Sequence, residues 1–378
     1  MKLTERYHPE RYRMSRPFAR QATTLYQSLT GTATLSSYET LKQIATLIGN
    51  FYNSELSHLE FSERPNNTKN LANEQSLAMH YSSWASHGRQ IFHFNEEITE
   101  QFRLTDADEI TIGSLKFPYN IFYMSFGSQS DLELDNSGRF VDGAYVSVIP
   151  DFAIQVLLTT RPLESKIPQR FDWIKSSDKY YYLPLSIKEP TANIAIVAEK
   201  AISDDIQERE AKLKTAKPTM DVGGIEIPSR RPQSIKEEIH DLSAGYPIFK
   251  NALSLIINGL CYLSAYPDDI EHHWPSDTPK PLLEKIEKAA KPKDVQKATS
   301  QLTSMGFTKI HYCGKAFQHH NQTDSEGSEV RAHWRRGHWR NQSYGPQSAN
   351  RKMIWIMPVM VRKDKTHGNI EMGHVYLV

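Results

Sequence analysis

The sequence predicts an α+β fold, in which N-terminal helices and a central apolar helix pack on a mostly antiparallel sheet completed by C-terminal strands. Two observations lead to this prediction. Apolar residues recur at helical spacing early in the chain, and short alternating or apolar runs divided by turn residues follow from about residue 108. A length of 378 residues is enough to bury a sizeable core.

The first half of the chain divides into two predicted segments. Residues 1–105 are predicted as a helical N-terminal part, whose third helix covers 88–102. Residues 106–200 are predicted as an antiparallel sheet region that begins with a strand at 110–115. In this region Asn136-Ser137-Gly138 separates two alternating runs, a pattern typical of a hairpin.

The second half also divides into two predicted segments. Residues 201–246 are rich in Lys, Glu, Arg and Pro, which predicts a polar insertion or linker. Residues 247–378 contain the most apolar helix of the chain, at 248–265, followed by C-terminal strands that carry a basic element. Because predicted strands lie on both sides of the polar segment, we expect one intertwined body rather than two separable domains.

Composition excludes several classes of protein. Lys and Arg number 45 against 44 Asp and Glu, so the chain is neither basic nor acidic as a whole. Two cysteines cannot form a disulfide framework. No apolar run approaches the roughly 20 residues that span a bilayer, and residues 1–20 lack the apolar core of a secretory signal. The sequence therefore predicts a cytoplasmic protein without a membrane partner.

Positive charge is concentrated near the C-terminus. No Asp or Glu occurs from 330 to 363, a window that holds eight Lys or Arg. Over 307–378 eleven Lys or Arg stand against five Asp or Glu, a net charge of +6, so the rest of the chain carries −5. Local potential rather than net charge steers a charged partner, which makes this region the candidate site for an anionic ligand.

The centre of this region is residues 331–340, in which the triplet His-Trp-Arg occurs twice. Arginine offers a planar fork of donors suited to phosphate, and tryptophan offers a flat face on which a base can stack. Histidine can move a proton near neutral pH. The predicted anion- or nucleic-acid-binding residues are Arg331, Trp334, Arg335, Arg336, Trp339, Arg340, Arg351 and Lys352.

The backbone conformation decides which of these side chains act together. A glycine in the middle of a helix costs about 1 kcal/mol relative to alanine, so Gly337 favours an extended segment. A strand would place the even-numbered residues from Trp334 to Arg340 on one face. A bend at Arg336-Gly337 would instead bring the two triplets opposite each other. The segment could also dock on acidic patches of its own chain, such as Asp204-Asp205.

The run 333–340, together with Tyr344-Gly345-Pro346 and Ile354-Trp355-Ile356-Met357-Pro358, resembles a C-terminal signature of poorly characterised bacterial and plasmid-borne proteins. The resemblance covers roughly 330–361. It implies a mobile-element or accessory setting and carries no particular activity.

The predicted function is therefore an accessory protein, of mobile-element or defence type, that binds an anionic partner, foremost nucleic acid, through 331–340. A catalytic version adds metal-independent phosphodiester cleavage, in which His333 and His338 serve as base and acid. Two alternatives use the same residues: a protein–protein module of antitoxin or inhibitor type, and an NAD-dependent group transferase. No cofactor or metal is predicted, because the chain lacks a Gly-rich nucleotide loop and a converging set of Cys and His.

Overall fold

The computed structural model describes residues 7–30, 38–58, 68–134, 138–149, 152–162, 180–222, 225–229, 231–315 and 333–361. It confirms the α+β class. The helices are α1 (His8–Ser15), α2 (Ala19–Thr30), α3 (Tyr38–Leu56), α4 (Thr68–Ser86), α5 (Glu96–Arg103), α6 (Ile194–Thr215), α7 (Arg231–Ala265), α8 (Lys280–Glu287) and α9 (Pro292–Met305).

The strands form one large sheet and three small ones within these ranges. They are β1 (Ile91–Phe94), β2 (Thr105–Asp106), β3 (Ile121–Ser125), β4 (Arg139–Ile149), β5 (Ala153–Pro162), β6 (Tyr180–Ser186), β7 (Thr219–Val222), β8 (Ile225–Pro228), β9 (Ile270–His273), β10 (Ile310–Cys313), β11 (His333–Arg335), β12 (Gly337–Tyr344), β13 (Asn350–Ile356) and β14 (Val359–Val361).

The large sheet has the strand order β6-β5-β4-β3-β1-β10-β9. Its pairings are antiparallel except at β1, which runs parallel to both β3 and β10. Strands from the N-terminal, middle and C-terminal parts of the chain therefore meet in one sheet, and the sequence-distant β1 and β10 lie side by side.

Helices cover both faces of this sheet. Along β3, Ile121 and Tyr123 face the core formed with α1–α4, whereas Phe122 and Met124 face the core formed with α5, α6 and α7. Every residue of β3 is buried, as expected for a strand covered on both sides. The sheet is thus the middle layer of the molecule.

Helix α7 is the central apolar helix. Residues from Ala252 to Leu263 are buried with one partly exposed exception, and burial raises the pKa of the Cys261 thiol to about 12. Within the described ranges, α7 is the helix long and apolar enough to cross a membrane, yet 67% of its most apolar window is buried inside the protein. That burial is typical of a core helix.

Helix α7 begins seventeen residues before the predicted start at 248, and Pro247 lies inside it. Residues 201–246, predicted as a polar insertion or linker, form the end of α6, the β7–β8 hairpin and the first half of α7. Arg209 Nε of α6 lies 3.3 Å from Glu238 Oε2 of α7, and just outside the segment Lys250 Nζ of α7 lies 3.1 Å from Glu199 Oε1 of α6. The described residues of this segment therefore form helix and hairpin, and an ion pair within the segment joins its two helices.

Two other local predictions are wrong. Residues 88–102 are not one helix, because Ile91–Phe94 form β1 and Asn95 begins α5 by accepting a hydrogen bond from the Ile98 N–H at 2.8 Å. The predicted strand at 110–115 is a short 3₁₀ turn, Ile112–Ser114, whose buried apolar side chains mimic a strand pattern.

The C-terminal strands separate into two groups. The strand predicted at 307–312 joins the large sheet as β10. The strand predicted at 352–361 does not: it forms β13 of a small sheet with the order β13-β12-β2, and β14, which pairs with β11. A further strand predicted at 375–378 lies outside the described residues.

Candidate nucleic-acid interface

The basic element lies on two short strands that do not pair with each other. β11 pairs with β14, so that His333 lies opposite Val361, whereas β12 pairs antiparallel with β13 and parallel with β2. The chain changes partner strand at Arg336. The expected extended backbone is therefore present, but the bend that would bring the two His-Trp-Arg triplets opposite each other is not.

Gly337 occupies the position where β12 approaches β2. A Cβ atom there would lie 2.7 Å from the Thr105 Oγ1 atom and 2.7 Å from the Pro358 Cδ atom. The Gly337 N–H donates to the Leu104 carbonyl at 2.8 Å. The glycine between the two triplets is thus required by close packing, and it anchors the start of β12 to the turn that follows α5.

The inner face of the small sheet is held against the core by two tryptophans. The rings of Trp339 and Trp355 stack at 5.7 Å with an interplanar angle of 15°. The Trp339 Nε1–H donates to the Asn258 Oδ1 atom at 2.7 Å, and the Trp355 Nε1–H donates to the Thr105 Oγ1 atom at 3.0 Å. Trp339 was predicted as a binding residue, but its indole N–H and one face are used inside the protein.

Asn258 connects this inner face to the rest of the molecule. It is fully buried in α7, and its amide donates to the Phe102 carbonyl at 3.0 Å and to the Thr105 carbonyl at 3.2 Å. Buried polar groups are stable when their hydrogen-bonding capacity is met, as it is here. Sequence reasoning missed Asn258, although an amide within the apolar run 252–263 is the signal that could have found it.

The outer face of the small sheet is open. Because side chains alternate along a strand, it carries the residues on the side opposite Trp339. We call the polar residues His338, Arg340, Gln342, Tyr344 and Lys352 the basic face; Asn350, Ile354 and Ile356 lie among them on the same side.

His338, Arg340 and Lys352 are exposed, and Tyr344 is 50% exposed. Arg340 and Lys352 are diagonal neighbours across the β12–β13 pair, which places them about 7–8 Å apart. The arrangement presents two cations and an aromatic ring to solvent.

The other predicted cations lie around this face. Arg335 and Arg336 are exposed at the junction of β11 and β12. Arg351 lies on the Trp355 side of β13, but burial falls from Trp355 through Met353 to Arg351, so its side chain is also exposed. Arg331 lies outside the described residues, as do the side chains of His333 and Trp334, for which only the strand backbone is described.

The proposed catalytic histidines do not share a strand pair. His338 lies opposite Asp106 of β2, an exposed carboxylate that faces the same side of the sheet. Asp106 also caps its own turn by accepting from the Asp108 N–H at 2.8 Å. A carboxylate beside an imidazole can orient it for proton transfer. The second histidine that the predicted acid–base cleavage requires is His333, whose side chain lies outside the described residues.

Metal-binding geometry is absent from the part of the chain that the structure describes: no three His, Cys, Asp or Glu side chains converge there. His311 is instead hydrogen-bonded through Nε2 to the Gln90 Oε1 atom at 2.6 Å and stacked on Phe92. Burial lowers the pKa of His311 to about 4, so this imidazole is neutral at physiological pH.

Comparison with known proteins assigns the chain to a family. No curated protein matches the chain. Among solved structures, the match to the crystal structure of AcrVA2 covers 91% of this chain and 94% of the AcrVA2 chain, with 14% sequence identity and a TM-score of 0.42.

The family model of the AcrVA2-like proteins, described as the anti-CRISPR type V subtype A2 family, matches residues 92–363. The match begins after the N-terminal helices and includes the large sheet, α7 and the basic face. Because it spans most of the chain, this protein belongs to the AcrVA2-like family of anti-CRISPR proteins, which confirms the expectation of a defence-related accessory protein.

Proposed function

We propose that this protein acts as an anti-CRISPR accessory factor that binds nucleic acid through the basic face. The observation that carries the proposal is the division of the small sheet into two faces. One face is locked to the core through Trp339 and Asn258, and the other presents Arg340, Lys352 and Tyr344 to solvent.

The chemistry of the basic face suits a phosphate backbone. Arg340 provides a fork of donors and Lys352 a point charge, and both can contact phosphate without reading sequence. The Tyr344 ring can stack on an unpaired base. Arg335, Arg336 and Arg351 extend the positive potential beyond the face. A single-stranded RNA or DNA is therefore the preferred ligand class.

A protein partner is the second candidate, and the family description favours it. An anti-CRISPR protein acts on a CRISPR system, whose components include proteins as well as nucleic acid. Arginine and tyrosine are common anchors of protein interfaces, so the same face also suits an acidic protein surface. The salt dependence of oligonucleotide binding separates the two candidates.

The experiment measures fluorescence anisotropy of a labelled single-stranded RNA over a range of NaCl concentrations. The variant Arg340→Gln/Lys352→Gln should bind more weakly, and its slope of log K against log salt should fall by about 1.4 because two phosphate contacts are lost. The control Lys293→Gln/Lys297→Gln removes the same charge from exposed positions on α9. Equal effects of the two double variants, or no effect of either, would reject nucleic-acid binding by this face.

A further inference from the structure

A large cleft of the molecule carries charge of the opposite sign to the basic face. It has a volume of about 1470 Å³ and is bounded by β6, α6 and the first half of α7. Its floor is held together by the Tyr181 hydroxyl, which donates to the Leu242 carbonyl at 3.0 Å and so ties β6 to α7. We call it the acidic cleft, because seven carboxylates and four cations line it, a net charge of −3.

The cations of the cleft are partly neutralised from within. Arg209 lies between Asp205 and Glu238, and Arg231 lies 3.5 Å from the same Glu238. The lining carboxylates Asp204 and Glu237 are exposed. The sequence offers Asp204 and Asp205 as docking points for the basic element of the same chain. Within the described part of the basic element, from His333 onward, no residue lines the cleft, and Arg335, Arg336 and Arg340 are exposed.

The cleft is lined by apolar side chains as well as by carboxylates. Ile196 lines it and is 59% exposed, whereas isoleucine is among the residues most often buried in proteins. Val197 and Ala201 of α6 and Leu242 of α7 line the same space and are half-buried. A ligand that fills the cleft would cover these side chains while its polar groups meet the carboxylates.

The sheet edge in the cleft favours recognition by side chains. β6 is the edge strand of the large sheet, and such edges can accept a further strand. Pro184 lies within β6 and lines the cleft, however, and proline has no backbone N–H to donate. We therefore expect the ligand to bind through charge and apolar contacts rather than as an added strand.

The basic face of the same molecule is too far away to fill the cleft. Leu242 in the cleft and Asn258 behind the basic face are sixteen residues apart on α7, which is about 24 Å along a helix. The two surfaces are therefore separate, and a polyanion attracted to one is repelled by the other.

We propose that the acidic cleft binds a basic segment of a partner protein, in which Lys or Arg side chains pair with the carboxylates and an apolar side chain packs on Ile196. The negative charge of the cleft favours a basic segment, and the exposed Ile196 favours a segment that also carries an apolar side chain. The proposal goes beyond nucleic-acid binding and does not depend on it, because it concerns a different surface.

The test uses a fluorescein-labelled twelve-residue peptide of Lys, Leu and Gly, and the same peptide with Glu in place of Lys, in an anisotropy assay. The wild type should bind the Lys peptide and not the Glu peptide. Asp204→Asn/Glu237→Gln should weaken binding about tenfold, consistent with the loss of two ion pairs. Ile196→Ser should weaken it in high salt as well, where charge pairing is screened.

A matched control removes the same charge elsewhere. Glu284→Gln/Glu287→Gln on α8 alters two exposed carboxylates outside the cleft and should change peptide affinity less than twofold. Thermal unfolding of all variants should be unchanged, which excludes misfolding as the cause. Equal losses in the cleft and control variants, or unchanged binding in both, would overturn the proposal.

Sedimentation velocity tests the competing occupant, a second copy of this chain. Salt-sensitive self-association that is lost both in Asp204→Asn/Glu237→Gln and in Arg340→Gln/Lys352→Gln would assign the cleft to the basic face of another molecule and overturn the proposal. A monomer under conditions where the Lys peptide binds supports it. RNA binding by the cleft variants should be unchanged, so failure here is distinguishable from failure of the proposed nucleic-acid interface.

Discussion

Replacing Asn258 by leucine should be one of the most damaging single changes that leaves the basic residues intact. The leucine is similar in size but removes the hydrogen bonds to Phe102, Thr105 and Trp339. An unsatisfied buried donor or acceptor costs about 1–3 kcal/mol, and the Trp339 N–H loses its partner outright. We expect a loss of about 3–5 kcal/mol in the free energy of unfolding.

The loss can be expressed as a shift in melting temperature. An entropy of unfolding of about 2.1 cal/mol/K per residue gives about 0.8 kcal/mol/K for 378 residues that unfold together. A loss of about 4 kcal/mol then lowers the Tm by about 5 °C. Circular dichroism measures it without relying on tryptophan fluorescence.

Trp339→Phe provides the second corner of a double-mutant cycle. It retains an aromatic ring against Trp355 but removes the N–H, and it should cost about 1–2 kcal/mol by leaving the Asn258 oxygen without this donor. The double variant should lose less than the sum, with a coupling of about 1 kcal/mol. Additive losses, or a cost for Asn258→Leu below about 1 kcal/mol, would refute the idea that this hydrogen bond fastens the small sheet to α7.

Three further predictions concern other parts of the molecule. If the protein cleaves RNA without metal, His338→Ala should abolish cleavage of a labelled RNA in EDTA while leaving its binding nearly intact; full residual turnover would remove His338 from any catalytic role. Burial acts to raise the pKa of the Asp142 carboxyl. The guanidinium groups of Arg11 and Arg161 outweigh burial and lower that pKa below its usual value. Asp142 therefore stabilises the fold above about pH 4, and this contribution is lost as pH falls through its folded pKa, so the urea midpoints of wild type and Asp142→Asn should converge in acid; a constant difference from pH 7 to pH 3 would contradict this. Gly143→Ala should lower the free energy of unfolding by about 1–3 kcal/mol, because its Cβ would lie 2.3 Å from the Met124 carbonyl oxygen. The control Gly49→Ala meets nothing within 4 Å and should stabilise α3 by up to about 1 kcal/mol. Stabilisation by both substitutions in urea unfolding would show that the sheet yields at Gly143.

Short-range sequence patterns predicted β4, β5 and the second half of α7. The alternating runs that became β4 and β5 are long and bounded by turn residues, and the apolar run in the second half of α7 leaves little polar face. The start of α7 was missed because polar residues before Pro247 resemble a linker. Their charges are satisfied by α6, a partner about thirty residues away that composition does not reveal.

The strand Ile91–Phe94 shows the same limitation. Its four residues also fit a helical repeat, and what decides their conformation is pairing with β3 and β10, the latter more than two hundred residues away. Pairings of this kind depend on tertiary contacts rather than on intrinsic preference. The distribution of strands between the large and small sheets was unpredictable for the same reason.

The amino-acid sequence by itself determined the α+β class, the buried end of α7 and the concentration of positive charge near the C-terminus, because these follow from composition and short-range periodicity. Only the tertiary structure decided that Trp339 points inward to Asn258 while Arg340 points outward, since alternation defines two faces but not which of them is buried. The acidic cleft likewise exists only because folding brings α6, α7 and β6 together, and no local sequence pattern indicates that these elements are neighbours.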